Sequence, residues 1–174
     1  GFNLILGAEA GFANTTGSDN FFFGYRSGYA NTIGSQNTFI GRGAGLANTT
    51  GSNNYAGTYR GLVNNTTGSD NIGLGLDAGE FVSSGDENIF LGRRAGRNST
   101  NTGIISKNLF LGALTGGNIA TGADKNILIG YNINLPTAGG DNQLNIGNAI
   151  YGTGLDGSGS TTSAALVGIL EPNP

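Results

Sequence analysis

The chain contains no cysteine, histidine, methionine or tryptophan, and only three prolines in 174 residues. Without cysteine there is neither a disulfide framework nor thiol chemistry, so a domain of this size must be stabilised in some other way. Without histidine a nucleophilic triad with an imidazole base is excluded, and the metal and acid–base options narrow. Charge is scarce too. Eight basic and 11 acidic residues leave a formal net charge of −3, and the basic ones are scattered, so nucleic acid is not an expected partner. No apolar run approaches the roughly 20 residues of a membrane-spanning helix, and no membrane insertion is expected. Gly1 opens directly in a repeat, so no signal segment is expected within this sequence.

What is abundant points elsewhere. Thirty-four glycines and 23 asparagines disfavour helix interiors and hence a helical bundle. The 37% of hydrophobic residues stand in regular clusters, which argues against disorder. The regularity is a repeat. LILGAEAGFANTTGSDN, FFFGYRSGYANTIGSQN and TFIGRGAGLANTTGSNN follow one another without a gap from Leu4 to Asn54, each seventeen residues long.

Numbering positions one to seventeen within the unit exposes fixed columns. Position four holds Gly7, Gly24, Gly41, Gly75, Gly92, Gly112 and Gly130, and position eight holds Gly11, Gly28, Gly45, Gly79, Gly96 and Gly116. These glycines read as corners or points of close backbone approach. Asn20, Asn37, Asn54, Asn71, Asn88, Asn108 and Asn126 close the units and mark another corner. Positions one to three are apolar in most copies and read as short strands. A second, weaker strand is expected over positions seven to ten, as in Ser27 to Ala30, and segments such as Asn48 to Ser52 read as turns.

Two short strands and tight corners per unit define an all-β fold, a parallel β-solenoid or β-roll. About eight coils stacked at about 4.8 Å make a rod roughly 40 Å long. A strand apolar on both faces needs cover on both. A thin solenoid has a single inside, so Phe22, Phe39, Phe90, Phe110 and Leu128 are candidate interface residues of a side-by-side homotrimer.

Stacking makes equal positions neighbours. Glu9 then lies against Arg26, Asp77 against Arg94 and Glu80 against Arg97, three pairs of opposite sign. Two irregularities interrupt the pattern. Gly57 and Gly61 come one residue early, which suggests a local shift or bulge. The unit from Ile89 to Asn108 has twenty residues, so its corner should protrude, and Asn98, Asn101 and Ser106 are candidate ligand contacts there. Residues 1–126 read as the repeat array and 127–151 as degenerate capping coils. Residues 152–174 read as a Gly/Ser/Thr linker and an apolar strand. In that strand Leu166, Val167, Ile169 and Leu170 could pair within the chain or with another subunit.

Thr38-Phe39-Ile40-Gly41, followed by Ala44 and Ala47, resembles the repeat of trimeric autotransporter adhesin heads. That resemblance implies a left-handed β-roll, three chains side by side, binding host surfaces or matrix proteins. The NTTGSNN corner and Asn142 to Asn148 resemble Gly/Asn-rich repeats of phage tail fibres and bacterial surface proteins. The likeness spans roughly residues 1–151, though these units are longer than the adhesin repeat, and it transfers no catalytic or binding residue.

Other chemistries have weaker support. Asp70, Asp77, Asp86 and Glu87 are the local concentration of carboxylates a glycosidase would need, but Asp70 and Glu87 fall beside the corner asparagine and Asp77 faces an arginine. The calcium-binding GGxGxD nonapeptide is absent, and no cofactor is expected. Asn14, Asn48, Asn64, Asn65 and Asn98 lie in N-x-[ST] sequons, but turns demand the same residues. Thr15/Thr16, Thr49/Thr50 and Thr66/Thr67 suggest an ice-binding ladder that Ile33 and Val82-Ser83 interrupt. Tyr25, Tyr29, Tyr55 and Tyr59 suit either sugar stacking or a subunit interface. The expected function is a non-enzymatic extracellular rod, attaching to cell-surface glycan, protein or matrix as an adhesin head or tail-fibre segment. The alternative is a filament subunit, joined end to end or by exchange of the C-terminal strand.

Overall fold

The computed structural model describes residues 1–97 and 104–153 in full and Leu166–Ile169 as backbone. Its strands are β1 (Leu4–Leu6), β2 (Phe21–Phe23), β3 (Thr38–Ile40), β4 (Tyr55–Ala56), β5 (Ile72–Leu74), β6 (Ile89–Leu91), β7 (Leu109–Leu111), β8 (Ile127–Ile129), β9 (Leu144–Ile146), β10 (Ile150–Thr153) and β11 (Leu166–Ile169). They form one sheet in chain order. The strands β1 to β9 are parallel and in register, one per coil. The protein is a parallel β-solenoid of about 8 coils, and no helix occurs among the described residues.

Each three-residue strand divides its side chains by the pleat, whose period is two. The middle residue points inward. Phe22, Phe39, Phe90, Phe110 and Leu128 are therefore the core of the coil itself, all fully buried, and not the subunit contacts expected of them. The flanking residues face outward, where Leu6 is 61%, Phe23 46% and Leu91 41% exposed. The strand is apolar on both faces, as its composition says. Composition alone does not tell which face is inside.

The second glycine column makes room for these rings. A Cβ on Gly28 would stand 2.7 Å from the Phe22 ring, and one on Gly116 2.5 Å from that of Phe110. The coil from Tyr55 to Asn71 solves the same packing problem in reverse. Ala56 and then Gly73 replace the inward phenylalanine, and Leu62, fully buried, replaces the glycine. A Cβ on Gly73 would lie 2.7 Å from Leu62 Cγ. No shift or bulge is needed, because Tyr55 pairs in register with both Thr38 and Ile72. The early Gly57 and Gly61 leave Thr58 and Leu62 in the two glycine columns.

Positions seven to ten are turns rather than the expected second strand. They still bond from coil to coil: the Gly11 N–H donates to Ser27 O at 2.9 Å and the Gly28 N–H to Ala44 O at 2.9 Å. What prevents an extended strand is left-handed backbone at its start, in position six, and within it, at position-eight glycines such as Gly11 (φ 56°) and Gly28 (φ 58°); position sixteen adds another left-handed corner later in the coil. Position six is left-handed in Glu9 (φ 57°), Arg26 (55°), Arg60 (55°), Asp77 (57°) and Arg94 (59°), and position sixteen in Asp19, Gln36, Asn53, Asp70, Glu87, Lys107 and Lys125. Such a residue costs roughly 1–2 kcal/mol, so the coils need strong bonding between them.

The buried asparagines at position seventeen supply it. The Asn37 N–H donates to Asn20 Oδ1 at 2.9 Å, Asn54 to Asn37 at 2.9 Å, and the series runs on to Asn126 on Asn108 at 3.0 Å. Each amide nitrogen turns to the following coil, as Asn54 Nδ2 does to Gly68 O at 2.8 Å. The ladder passes Asn126, because the Gln143 N–H bonds Asn126 Oδ1 at 2.9 Å and β9 pairs with β8. A full coil thus spans the segment where the sequence pattern decays. The chain then reverses into antiparallel β10 and β11. Gly152 and Thr153 belong to β10 rather than to a linker, and Leu166, Val167 and Ile169 pair within their own chain. Leu170 lies outside the described residues.

Two unfolding experiments follow from this packing. Asn54→Ala removes the acceptor of the Asn71 N–H and the donor to Gly68 O, and is expected to cost about 3 kcal/mol in urea denaturation. The exposed Thr50→Ala is expected to change little. Gly73→Phe alone is expected to destabilise by about 1–3 kcal/mol. With Leu62→Gly it is expected to recover, giving a coupling of about 1 kcal/mol or more in a double-mutant cycle.

Candidate functional site on an arginine and tyrosine face

Beside the strands, positions five, six and nine of successive coils build one side of the rod. Tyr25, Arg42 and Tyr59 follow one another at position five. Position six carries Arg26, Gly43 and Arg60, so the glycine leaves a gap between two long side chains. The result is a groove of about 170 Å³ lined by Tyr25, Arg26, Arg42, Gly43, Leu46, Tyr59, Arg60 and Val63.

Arg42 lies between the two rings, its guanidinium carbon 5.7 Å from the Tyr25 centroid and 5.8 Å from that of Tyr59. Arg26 lies 5.1 Å from Tyr25 and 5.4 Å from Tyr29. These are cation–π distances. Arg26 Nε also donates to Glu9 Oε2 at 2.6 Å, and that hydrogen bond raises the guanidinium's affinity for its proton above the usual value. Among the described residues Arg42 has no carboxylate partner, and its neighbours Arg26 and Arg60 both have one.

Below the groove stands a charge cluster. Asp77 and Glu80 are buried, and Arg60 bridges them, 3.6 Å from Asp77 Oδ1 and in contact with Glu80 Oε1. Arg94 lies 3.7 Å from Asp77 and Arg97 bonds Glu80. The three pairs expected from stacking all form. Arg60, the bridge between two of them, was hidden in the coil whose glycines looked displaced. The stacked column at position six would have revealed it. Asp77 Oδ1 and Arg94 Nε lack hydrogen-bond partners, so this part of the cluster rests on charge alone.

The other sequence candidates have structural employment. Asp86 Oδ1 accepts the Ser69 N–H at 2.7 Å, and Glu87 lies 3.8 Å from Lys107. Ser106 belongs to the same ladder of caps, accepting from Asp86 N–H and donating to Asp124 Oδ1 at 2.6 Å. Asn98 and Asn101 lie outside the described residues. Among those described, no group of three or more acidic side chains is placed to hold a metal ion.

Of the sequon residues, Asn14, Asn48 and Asn65 aim their amide nitrogens into the corner, at Gly17, Gly51 and Gly68 carbonyls, and with Asn31 they form a second asparagine ladder. Asn64 Nδ2 donates to Glu80 O at 2.8 Å. The spacing of these asparagines could have disclosed the second ladder. The first threonine hydroxyl of each pair is engaged as well: Thr15 donates to Thr32 O and Thr49 to Thr66 O, each at 2.9 Å, and Thr66 to Ser83 O at 2.7 Å.

A second exposed surface is the outer face of the sheet. Leu4, Leu6, Phe23, Tyr55, Ile89, Leu91, Leu111 and Ile127 all stand on it, with Phe21, Ile40, Ile72 and Leu74 half-buried between them. This apolar band runs the length of the parallel stack.

Arg60→Gln is expected to lower the melting temperature more than Arg26→Gln, because it leaves two buried carboxylates short of a counter-charge. Breaking the exposed Glu9–Arg26 pair should cost about 1 kcal/mol or less; scanning calorimetry of the two variants gives the order. No family model, curated protein or solved structure matches this chain, so the functional reading rests on its own residues.

Proposed function

We propose that this chain is a non-enzymatic, extracellular structural and adhesive rod. Copies associate side by side as a homotrimer, and the faces left outside attach to a cell-surface glycan, protein or matrix. The observation that carries the reading is the apolar band of positions one and three, exposed or half-buried in coil after coil. Contiguous apolar surface of this kind marks interaction sites on soluble proteins. The band repeats with the coil spacing, in register from strand to strand, which suits association along the rod with another surface of the same period. A further copy has that period by construction. The buried carboxylates Asp77 and Glu80 are each engaged by arginines, which supports a structural role for them.

The filament alternative has one observation against its strand-exchange form, namely the pairing of β11 with β10 in the same chain. The test is sedimentation analysis with negative-stain microscopy. The native chain is expected at three times its 17.5 kDa, and Leu91→Lys with Leu111→Lys at one times, with an unchanged circular dichroism spectrum. A stable native monomer overturns the lateral assembly, and long filaments establish the alternative.

A further inference from the structure

The groove between Tyr25 and Tyr59 lies beside the apolar strand band, on positions five, six and nine, and its composition is unusual for this molecule. The chain carries a net charge of −3 and only 8 basic residues, yet three of them, Arg26, Arg42 and Arg60, line one groove on three successive coils. Two are held by carboxylates, Glu9 for Arg26, and Asp77 with Glu80 for Arg60. Arg42 is held by ring faces alone. Cation–π contact fixes the plane of a guanidinium without consuming its N–H donors, whereas a salt bridge does consume them. A guanidinium so placed keeps its edge for a planar or tetrahedral anion, and bidentate pairing is the strong form of that contact.

We infer that Arg42, clamped by Tyr25 and Tyr59, is the anchor of a binding site for an acidic saccharide, one carrying a carboxylate or a sulfate group. The anion sits on the Arg42 edge, and Arg26 and Arg60 add positive potential from either side. The sugar ring lies in the gap over Gly43, against Leu46 and Val63. Gly43 is essential to this arrangement because the coils on either side carry arginine in the same column, Arg26 and Arg60, and a third long side chain would fill the gap. The groove volume of about 170 Å³ admits one ring. Tyr25 and Tyr59 are two coils apart, or about 9.6 Å by the strand spacing, and their exposed edges and hydroxyls remain available to neighbouring sugar hydroxyls. This inference rests on the proposed role of the rod as an attachment surface, and gives that surface a ligand class.

The test is isothermal titration of the whole chain with sialyllactose and with a heparin tetrasaccharide, beside lactose and inorganic sulfate. Binding of at least one acidic saccharide is expected, with lactose silent and sulfate at least tenfold weaker. Arg42→Gln should weaken it tenfold or more. Arg42→Lys, which keeps the charge and loses the planar fork, should weaken it several-fold. Arg93→Gln, at the same position three coils away, should leave it unchanged. An unaltered far-ultraviolet circular dichroism spectrum establishes that each variant is folded. The inference is overturned if neither acidic saccharide binds, if Arg42→Gln binds as the native chain does, or if sulfate binds as tightly, which would make the groove a simple anion site. Adhesion of the native rod and of Arg42→Gln to cultured cells separates this inference from the reading beneath it. Equal adhesion by both removes the groove and keeps the attachment role. No adhesion by either removes the attachment role, while the titration still decides the groove.

Discussion

The bond on which this fold depends runs from a backbone N–H to the side-chain oxygen of the asparagine one coil earlier. Each strand contributes only three residues to the sheet, and left-handed backbone recurs twice per coil in residues other than glycine. A coil of this kind has too little extended backbone to hold its neighbours by strand pairing alone. The buried amides close the gap, because in a site without water an unmet N–H or carbonyl costs more than an ordinary hydrogen bond contributes. Each asparagine meets one donor and one acceptor in the coil ahead, and Asn88 keeps both against the twenty-residue coil that follows it, so the corner is fixed while the length of the unit can vary. A coil that is one residue too long at this corner loses both.

Much of this was legible in the sequence because a stack of coils converts sequence spacing into contact. The position-four glycines and the Glu9–Arg26 pair are read off a column, since only one arrangement puts equal positions together. The inward and outward halves of the strand were not legible. Phe22 and Phe23 are both apolar, and a three-residue run has no alternation long enough to fix its phase. The coil containing Leu62 misled for a related reason. Its glycines mark volume rather than turns, and volume is shared between a residue and its partner in space. Arg60 and the groove depend on Gly43 being small where its column is otherwise long, a property of three coils together.

The rod therefore divides its labour by side. The interior is phenylalanine, leucine and asparagine, the sheet face is apolar, and the opposing turn corners are closed by serine and aspartate caps that accept a backbone N–H from the preceding coil. The arginine and tyrosine side combines charge, aromatic surface and a concavity. The proposed lateral assembly and the proposed ligand contact would thus draw on different columns of the same unit. Either can vary without disturbing the asparagine that holds the coils.

The second asparagine ladder ends abruptly. Asn14, Asn31, Asn48 and Asn65 bond one to the next, but the following coil has Val82 in that place, and Asn65 Oδ1 is left without a partner. Among the described residues of the next coils, Val82 and Ile119 take that place, both buried. The rod is accordingly a joint of two materials, a doubly laddered amide segment and a greasier one, with a chemical seam between them. In a linear array, where each repeat touches only its neighbours, such a seam is where cooperativity is weakest. It gives the molecule a preferred point of fracture, and with it a direction in which the coils come apart.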